Sequence, residues 1–192
     1  MLKLDNLVLA SSSKQRLCLL KQLCILPGEV MCPNVDESPL KKELPKIYSM
    51  RIAKEKVMHV SILCPEKFVL SADTVVCCGR RILPKAETKD QARECLELIS
   101  GRRHRVYTSV YLYTPSKKLH CRSVMTVVKI KRLSVGEIDS YVASEEWKGK
   151  AGGCNIQGNA GKFVVSINGS YSSVIGLPLY ETYSILSQYF PI

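Results

Sequence analysis

The apolar positions of this chain fall into short runs and stripes, with a spacing that shifts between two and about 3.6. Leu7 to Ala10 has the length of a buried strand, and Leu17, Leu19 and Leu20 open an amphipathic helix. A Pro-rich connection, acidic and then basic, follows in EVMCPNVDESPLKKELPK. Residues 47–61 predict a helix with Ile47, Met50, Ala53, Val57 and Val60 as its apolar stripe. FVLSADTVVCCGRRIL alternates apolar runs with a Gly-Arg turn and predicts central strands. Thr88 and Gln91 are spaced as a capping box before Ala92, Cys95, Leu96 and Ile99, with Gly101 as the stop. VYTSVYLY and SVMTVVKIKRL predict an antiparallel pair around TPSKK, and Ser134 with Glu137 caps the helix GEIDSYVASEEW. KFVVSINGSYSSVIG reads as two strands joined by a turn at Asn168-Gly169. Pro178 starts a last helix through Leu186. This order predicts a mixed α/β sheet, and no repeat or linker divides residues 1–192, so one domain is expected.

Composition narrows the class without naming a function. With 46% hydrophobic and 23% charged residues the chain reads as an ordinary globular one. No apolar run approaches the ~18 residues of a membrane span. MLKLDNLVLASSS carries Asp5 and no long apolar signal region, which predicts a cytoplasmic protein. Nine cysteines without a CxxC pair, and three scattered histidines, argue against a zinc site or a disulfide framework; buried free thiols are expected. The net charge of +11 favours anionic partners and leaves a nucleic-acid contact open. The dense basic–aromatic interleaving of a single-strand-binding surface is missing.

Several polar residues stand where neither a core nor a turn requires them, and most have two readings. The serines of LASSSKQR lie at a strand-to-helix turn, either as a plain N-cap or as an anion site built from free N–H groups, Lys14 and Arg16. Asp73 interrupts an otherwise buried strand, as a turn former or as a carboxylate with a partner. Lys56 borders a helix's apolar face, where snorkelling is the ordinary account. Lys85 follows a strand end and precedes a capped helix, where a solvated loop lysine is the ordinary account. Asp36 and Glu37 offer loop charge or oxygen ligands for a cation. The four glycines between residues 151 and 163 allow either a flexible loop or a close backbone approach.

Together these stretches resemble the Maf family of nucleoside triphosphate pyrophosphatases. LASSSKQR resembles the family's LASxSPRR element, VDE its acidic element, IAKEKV its A-x-x-K-A helix and SADTVV its ADT-V-V element. ILPKAETKDQA stands in place of the L-x-K-P segment, ECLELISGRRHRVYTSV resembles the ML-x-x-LSG-x-x-H-V-x-T stretch, and KAGGCNIQG and INGSYSSVIGLPLYETYSIL match the closing elements. The order is the family's, from residue 7 to about 186.

The resemblance implies an elongated mixed α/β sheet with helices on both sides and two lobes around a central cleft. It implies hydrolysis between the α- and β-phosphates of a nucleoside triphosphate, releasing a monophosphate and pyrophosphate. Asp73, Glu37, Lys56 and Lys85 match the catalytic positions, with Ser11, Ser13, Arg16, Lys56 and Lys85 on the phosphates. Glu37 and Asp73 would hold a divalent cation, Mg²⁺ or Mn²⁺. Gln15, Thr74 and Gln157 fall at positions that separate substrate branches; Thr74 and Gln157 resemble the dTTP/UTP type, whereas Gln15 replaces an arginine. The resemblance leaves room for a homodimer. Two rivals stand beside it: a non-catalytic nucleotide- or nucleic-acid-binding regulator of cell division on the same fold, and an inosine-triphosphatase-type purine specificity.

Overall fold

The computed structural model describes residues 1–192. The first apolar run extends to a nine-residue strand, β1 (Leu2–Ala10), followed by α1 (Lys14–Gln22) and β2 (Ile25–Met31). β2 pairs in parallel with β1 at the sheet edge, a strand hidden in the sequence by Pro27 and Gly28. Pro is tolerated at an edge, and the register shifts between Leu4 and Val8 opposite Gly28, where a Cβ would sit 2.3 Å from the Asp5 carbonyl oxygen.

α2 (Pro45–Leu63) opens with Pro in its first turn. Its buried face is Ser49, Ile52, Ala53, Lys56, Val57 and Val60; Ile47 is exposed and Met50 only half-buried, so the true stripe is rotated from the expected one. The rotation puts Lys56 inside the apolar face, not at its border. β3 (Phe68–Cys78) runs parallel to β1 and antiparallel to β4 (Arg81–Leu83) and to β5 (Arg103–Tyr113). β6 (Leu119–Ile130) and β7 (Val164–Asn168) complete the sheet, in the order β2-β1-β3-β5-β6-β7, with β4 on β3.

α3 (Lys89–Ile99) is capped by Thr88, but the Gln91 side chain accepts from Glu87 N instead of closing the box. At α4 (Val135–Ala143) the capping box of Ser134 and Glu137 is complete. The second half of KFVVSINGSYSSVIG is not a strand. Ser170 accepts from Ser173 N and starts a short helix, α5 (Tyr171–Ile175), before α6 (Leu179–Leu186). A serine N-cap outweighed the β preference of Val174 and Ile175.

Helices cover both faces of the sheet. α2 packs on Val8, Ala10, Val69 and Tyr111. On the other face two clusters lie in succession along β3. One joins Leu70 and Ala72 to α1 and α6; the next joins Val76 to α3, α4, Trp147 and Phe163. Thr74 falls between them, and there a cleft of ≈ 460 Å³ opens between the two lobes.

Candidate active site

β1 and β4 lie end to end along the same edge of β3. β1 finishes where Ala10 meets Ser71, and β4 begins its pairing at Val76 with Leu83. Residues 72–75 of β3 are left with no neighbour on that edge, and the turns after both strands, carrying Ser11 and Lys85, converge on the gap. In α/β sheets such breaks at the carboxyl ends of strands are where ligands bind.

Because strand side chains alternate, Asp73 and Thr74 leave the gap on opposite faces. Asp73, 3% exposed, meets Lys56 from α2, whose Nζ lies 2.7 Å from Asp73 Oδ1 and 2.6 Å from Glu37 Oε1. Lys85 Nζ closes the cluster at 2.6 Å from Glu37 Oε2. Asp73 Oδ2 is buried without a partner. Burial drives the Asp73 carboxyl above its ordinary pKa against the pull of Lys56 and Arg16. Burial also opposes the charged form of Glu37, but hydrogen bonds from Lys56 and Lys85 prevail and hold it at about 2.

Across the gap Ser13 caps α1, accepting from Arg16 N. Arg16 fans out to three partners: its Nε to the Gly176 carbonyl at 2.9 Å, one Nη to Ser11 Oγ at 3.2 Å, the other to Thr74 Oγ1 at 3.5 Å. Thr108 Oγ1 donates to the Ser173 carbonyl at 2.6 Å, so its 3.0 Å contact with Thr74 uses the Thr74 proton. The Thr74 hydroxyl is thereby fixed as an acceptor toward the cleft. Ser13 Oγ donates to Gln15 Oε1, leaving the Gln15 amide as a donor, and Gln157 also lines the cleft.

The glycine-rich segment resolves as a close approach. Ala86 N donates to Lys150 O, Gly149 N to Ala86 O and Gly152 N to Pro84 O, stitching the 149–153 turn to the strand end that carries Lys85. Gly152 has φ +66 and no room for a side chain, since a Cβ would lie 2.9 Å from Val76 Cγ1. Asp36 parts from Glu37: its Oδ1 accepts from Ser38 N in an exposed turn. All nine cysteines are free, but Cys18, Cys24 and Cys32 are exposed, contrary to the expected burial.

The sequence pattern of the Maf-like protein family matches residues 6–189. This chain belongs to the Maf-like family. Over all 192 residues of both chains it is 84% identical to a nucleoside triphosphate pyrophosphatase of Ehrlichia ruminantium (strain Welgevonden). It is 63% identical over 188 residues to the dTTP/UTP pyrophosphatase of Wolbachia pipientis wMel, covering 97% of this chain and 95% of that one. Among solved structures, a HAM1 protein from Coxiella burnetii shares the fold, with a TM-score of 0.53 at 14% identity over 98% of this chain and 100% of that one.

The Maf-like cleft also uses residues that sequence reasoning missed. Tyr48 Oη donates to the Glu37 carbonyl at 2.8 Å, and Arg51 grips the Ser38 carbonyl together with Glu43, so two α2 side chains hold the loop that presents Glu37. His104, 4% exposed, lines the cleft beyond Val106. Tyr48 and Arg51 act through backbone carbonyls in the preceding loop, for which no side-chain pattern exists. His104 had a signal: it shares strand parity with Val106 and Thr108.

Proposed function

We propose that this chain is a nucleoside triphosphate pyrophosphatase in which water attacks the α-phosphorus, the α–β phosphoanhydride bond breaks, and pyrophosphate leaves a nucleoside monophosphate. The observation that carries this reading is the arrangement at the gap in β3. A buried carboxylate with one unpartnered oxygen is paired to Lys56, and Lys56 lines a cleft together with Lys14, Arg16, Lys85 and Lys150. Ser11, Ser13, Arg16 and the first amides of α1 hold the phosphate chain. Lys56 and Lys85 offset the charge that grows on the departing pyrophosphate. Asp73 Oδ2 takes the proton of the attacking water; its raised pKa brings it closer to the range in which a carboxylate works as a base. Gln15, Thr74 and Gln157 border the substrate as specificity positions, with pyrimidine triphosphates of the dTTP/UTP type preferred. Residues 1–192 form one catalytic unit, a reading supported by the single sheet to which every strand belongs.

The donor set also suits a divalent cation. Glu37 and Asp73 both offer hard oxygens at the same spot, one of them without a partner. No group of three or more His, Cys, Asp and Glu side chains suited to a metal occurs, so a cation held by Glu37 and Asp73 would complete its ligands with substrate oxygens and water, a usual arrangement for Mg²⁺. Bound there, Mg²⁺ or Mn²⁺ supplies charge neutralisation on the phosphates and lowers the pKa of water. No helix is long and apolar enough to cross a membrane, and the expected setting is cytoplasmic.

The test is pyrophosphate release from a panel of canonical and modified nucleoside triphosphates, with Mg²⁺, with Mn²⁺ and with EDTA. Release with a monophosphate as co-product, lost in EDTA, is the expected result. A folded protein that turns over none of them would support the binding regulator instead, and a purine triphosphate as best substrate the inosine-triphosphatase type.

A further inference from the structure

We infer that His104 reads the nucleobase, its Nε2–H donating to a keto oxygen, so that the site takes bases such as uracil and thymine and rejects amino bases such as cytosine. This rests on the pyrophosphatase reading above and adds the group that discriminates.

The argument starts from strand register. His104, Val106 and Thr108 point to one face of β5, and Thr108 pairs with Thr74 while Val106 pairs with Val76. The face therefore runs from the hydroxyl pair beside Arg16, across two valines, to His104. Four residues of strand span ~13 Å, which carries the floor from the phosphate end out to where a nucleoside places its base. Val76 and Val106 offer no hydrogen bond, so His104 is the polar group of that end of the floor.

Its protonation is decided by its surroundings. The ring is 4% exposed, and burial alone pushes it down to about 4, so at neutral pH it is uncharged and carries one proton. Nδ1 is sealed from solvent and has no partner. A buried N–H without an acceptor is rarer and costlier than an unused lone pair. The proton therefore resides on Nε2, the nitrogen that the cleft can reach. No side chain of the fold competes for it, and Arg103 and Arg105 leave the strand on the other face. A fixed donor matches the O4 of uracil or thymine and meets the N4 amino group of cytosine donor to donor, the kind of mismatch that discriminates strongly.

The experiment compares kcat/KM for UTP and CTP in the wild type, His104→Leu and His104→Gln, with circular dichroism to verify folding. In the wild type UTP is expected to lead by about tenfold or more. In His104→Leu, UTP turnover should fall about tenfold further than CTP turnover, through KM. His104→Gln, whose amide can turn either its N–H or its C=O to the base, should keep UTP and gain CTP; it also serves if the leucine variant does not fold. A loss shared equally by both substrates, or an unchanged ratio in either variant, overturns the assignment. Should the wild type hydrolyse no nucleoside triphosphate, the pyrophosphatase reading fails by itself. His104 is then judged by calorimetry with α,β-methylene-UTP and α,β-methylene-CTP, where the same preference upholds it and equal affinity overturns it.

Discussion

Lys56 is one cation between two carboxylates, and its removal separates stability from chemistry. Lys56→Met leaves Asp73 and Glu37 facing each other without the charge they share, with Asp73 fully enclosed. Breaking a buried pair from one side typically costs 3–5 kcal/mol, and a loss of roughly that size is expected in urea unfolding. Lys56→Met with Asp73→Asn removes both ends of the pair. That double variant should regain most of the stability and none of the hydrolysis; recovered turnover would contradict the role of Asp73. His104 makes a second prediction at this scale. Its folded pKa of about 4 lies below the ~6.5 of an exposed histidine. The neutral ring therefore contributes its full stability above pH ~6.5 and loses it as the pH falls toward 4, about 3 kcal/mol in all. Between pH 7.5 and 4.5 the wild-type Tm should drop about 5–10 °C further than that of His104→Leu. Parallel Tm curves would mean the ring is not held neutral.

Among the elements, the 149–153 turn shows how a loop can act on chemistry without touching it. Gly152→Ala adds a Cβ at 2.9 Å from Val76 on a residue with φ +66. The left-handed backbone alone costs ~1–2 kcal/mol for an L-residue, and relief of the clash shifts the turn whose hydrogen bonds hold Pro84 and Ala86 on either side of Lys85. The expected outcome is a higher KM and a lower Tm; trimming the opposing side chain in Gly152→Ala with Val76→Ala should recover part of the Tm, because the strain of the backbone remains. The same loop marks where the sequence was readable. Its glycines left a close approach open beside a flexible loop, and could not show that Val76 was the neighbour, since that depends on long-range folding. The Ser134–Glu137 capping box, the β5–β6 hairpin and α3 were legible because their signals are local, whereas the Thr88–Gln91 spacing gave only the cap and not the closed box. β2 was hidden by Pro27 and Gly28, which only an edge strand with a register shift accepts. α5 was masked by β-branched residues after a serine cap. The charged site residues were legible through their resemblance to the Maf pattern, whereas Tyr48 and Arg51 were not, because they bond backbone carbonyls that any residue could supply.

At the scale of the molecule, the question is which part of the +11 charge serves the substrate. Lys14, Arg16, Lys56, Lys85 and Lys150 line the cleft against one lining carboxylate, Glu37. Arg80 and Arg81 lie instead at the exposed tip of the β3–β4 hairpin, beyond Val76 and away from the gap. Four or five residues of strand amount to ~13–17 Å, further than the screening length of ~8–10 Å at 0.1–0.15 M salt. A field that draws a polyphosphate into a cleft should weaken steeply with salt. kcat/KM for the best triphosphate is therefore expected to fall about tenfold between ~0.05 and ~0.5 M monovalent salt, through KM. Lys150→Met, which removes a cleft cation, should flatten that dependence. Arg80→Ala with Arg81→Ala should leave it as in the wild type. If the arginine pair flattened the slope and Lys150→Met did not, the hairpin tip and not the cleft would be gathering the substrate.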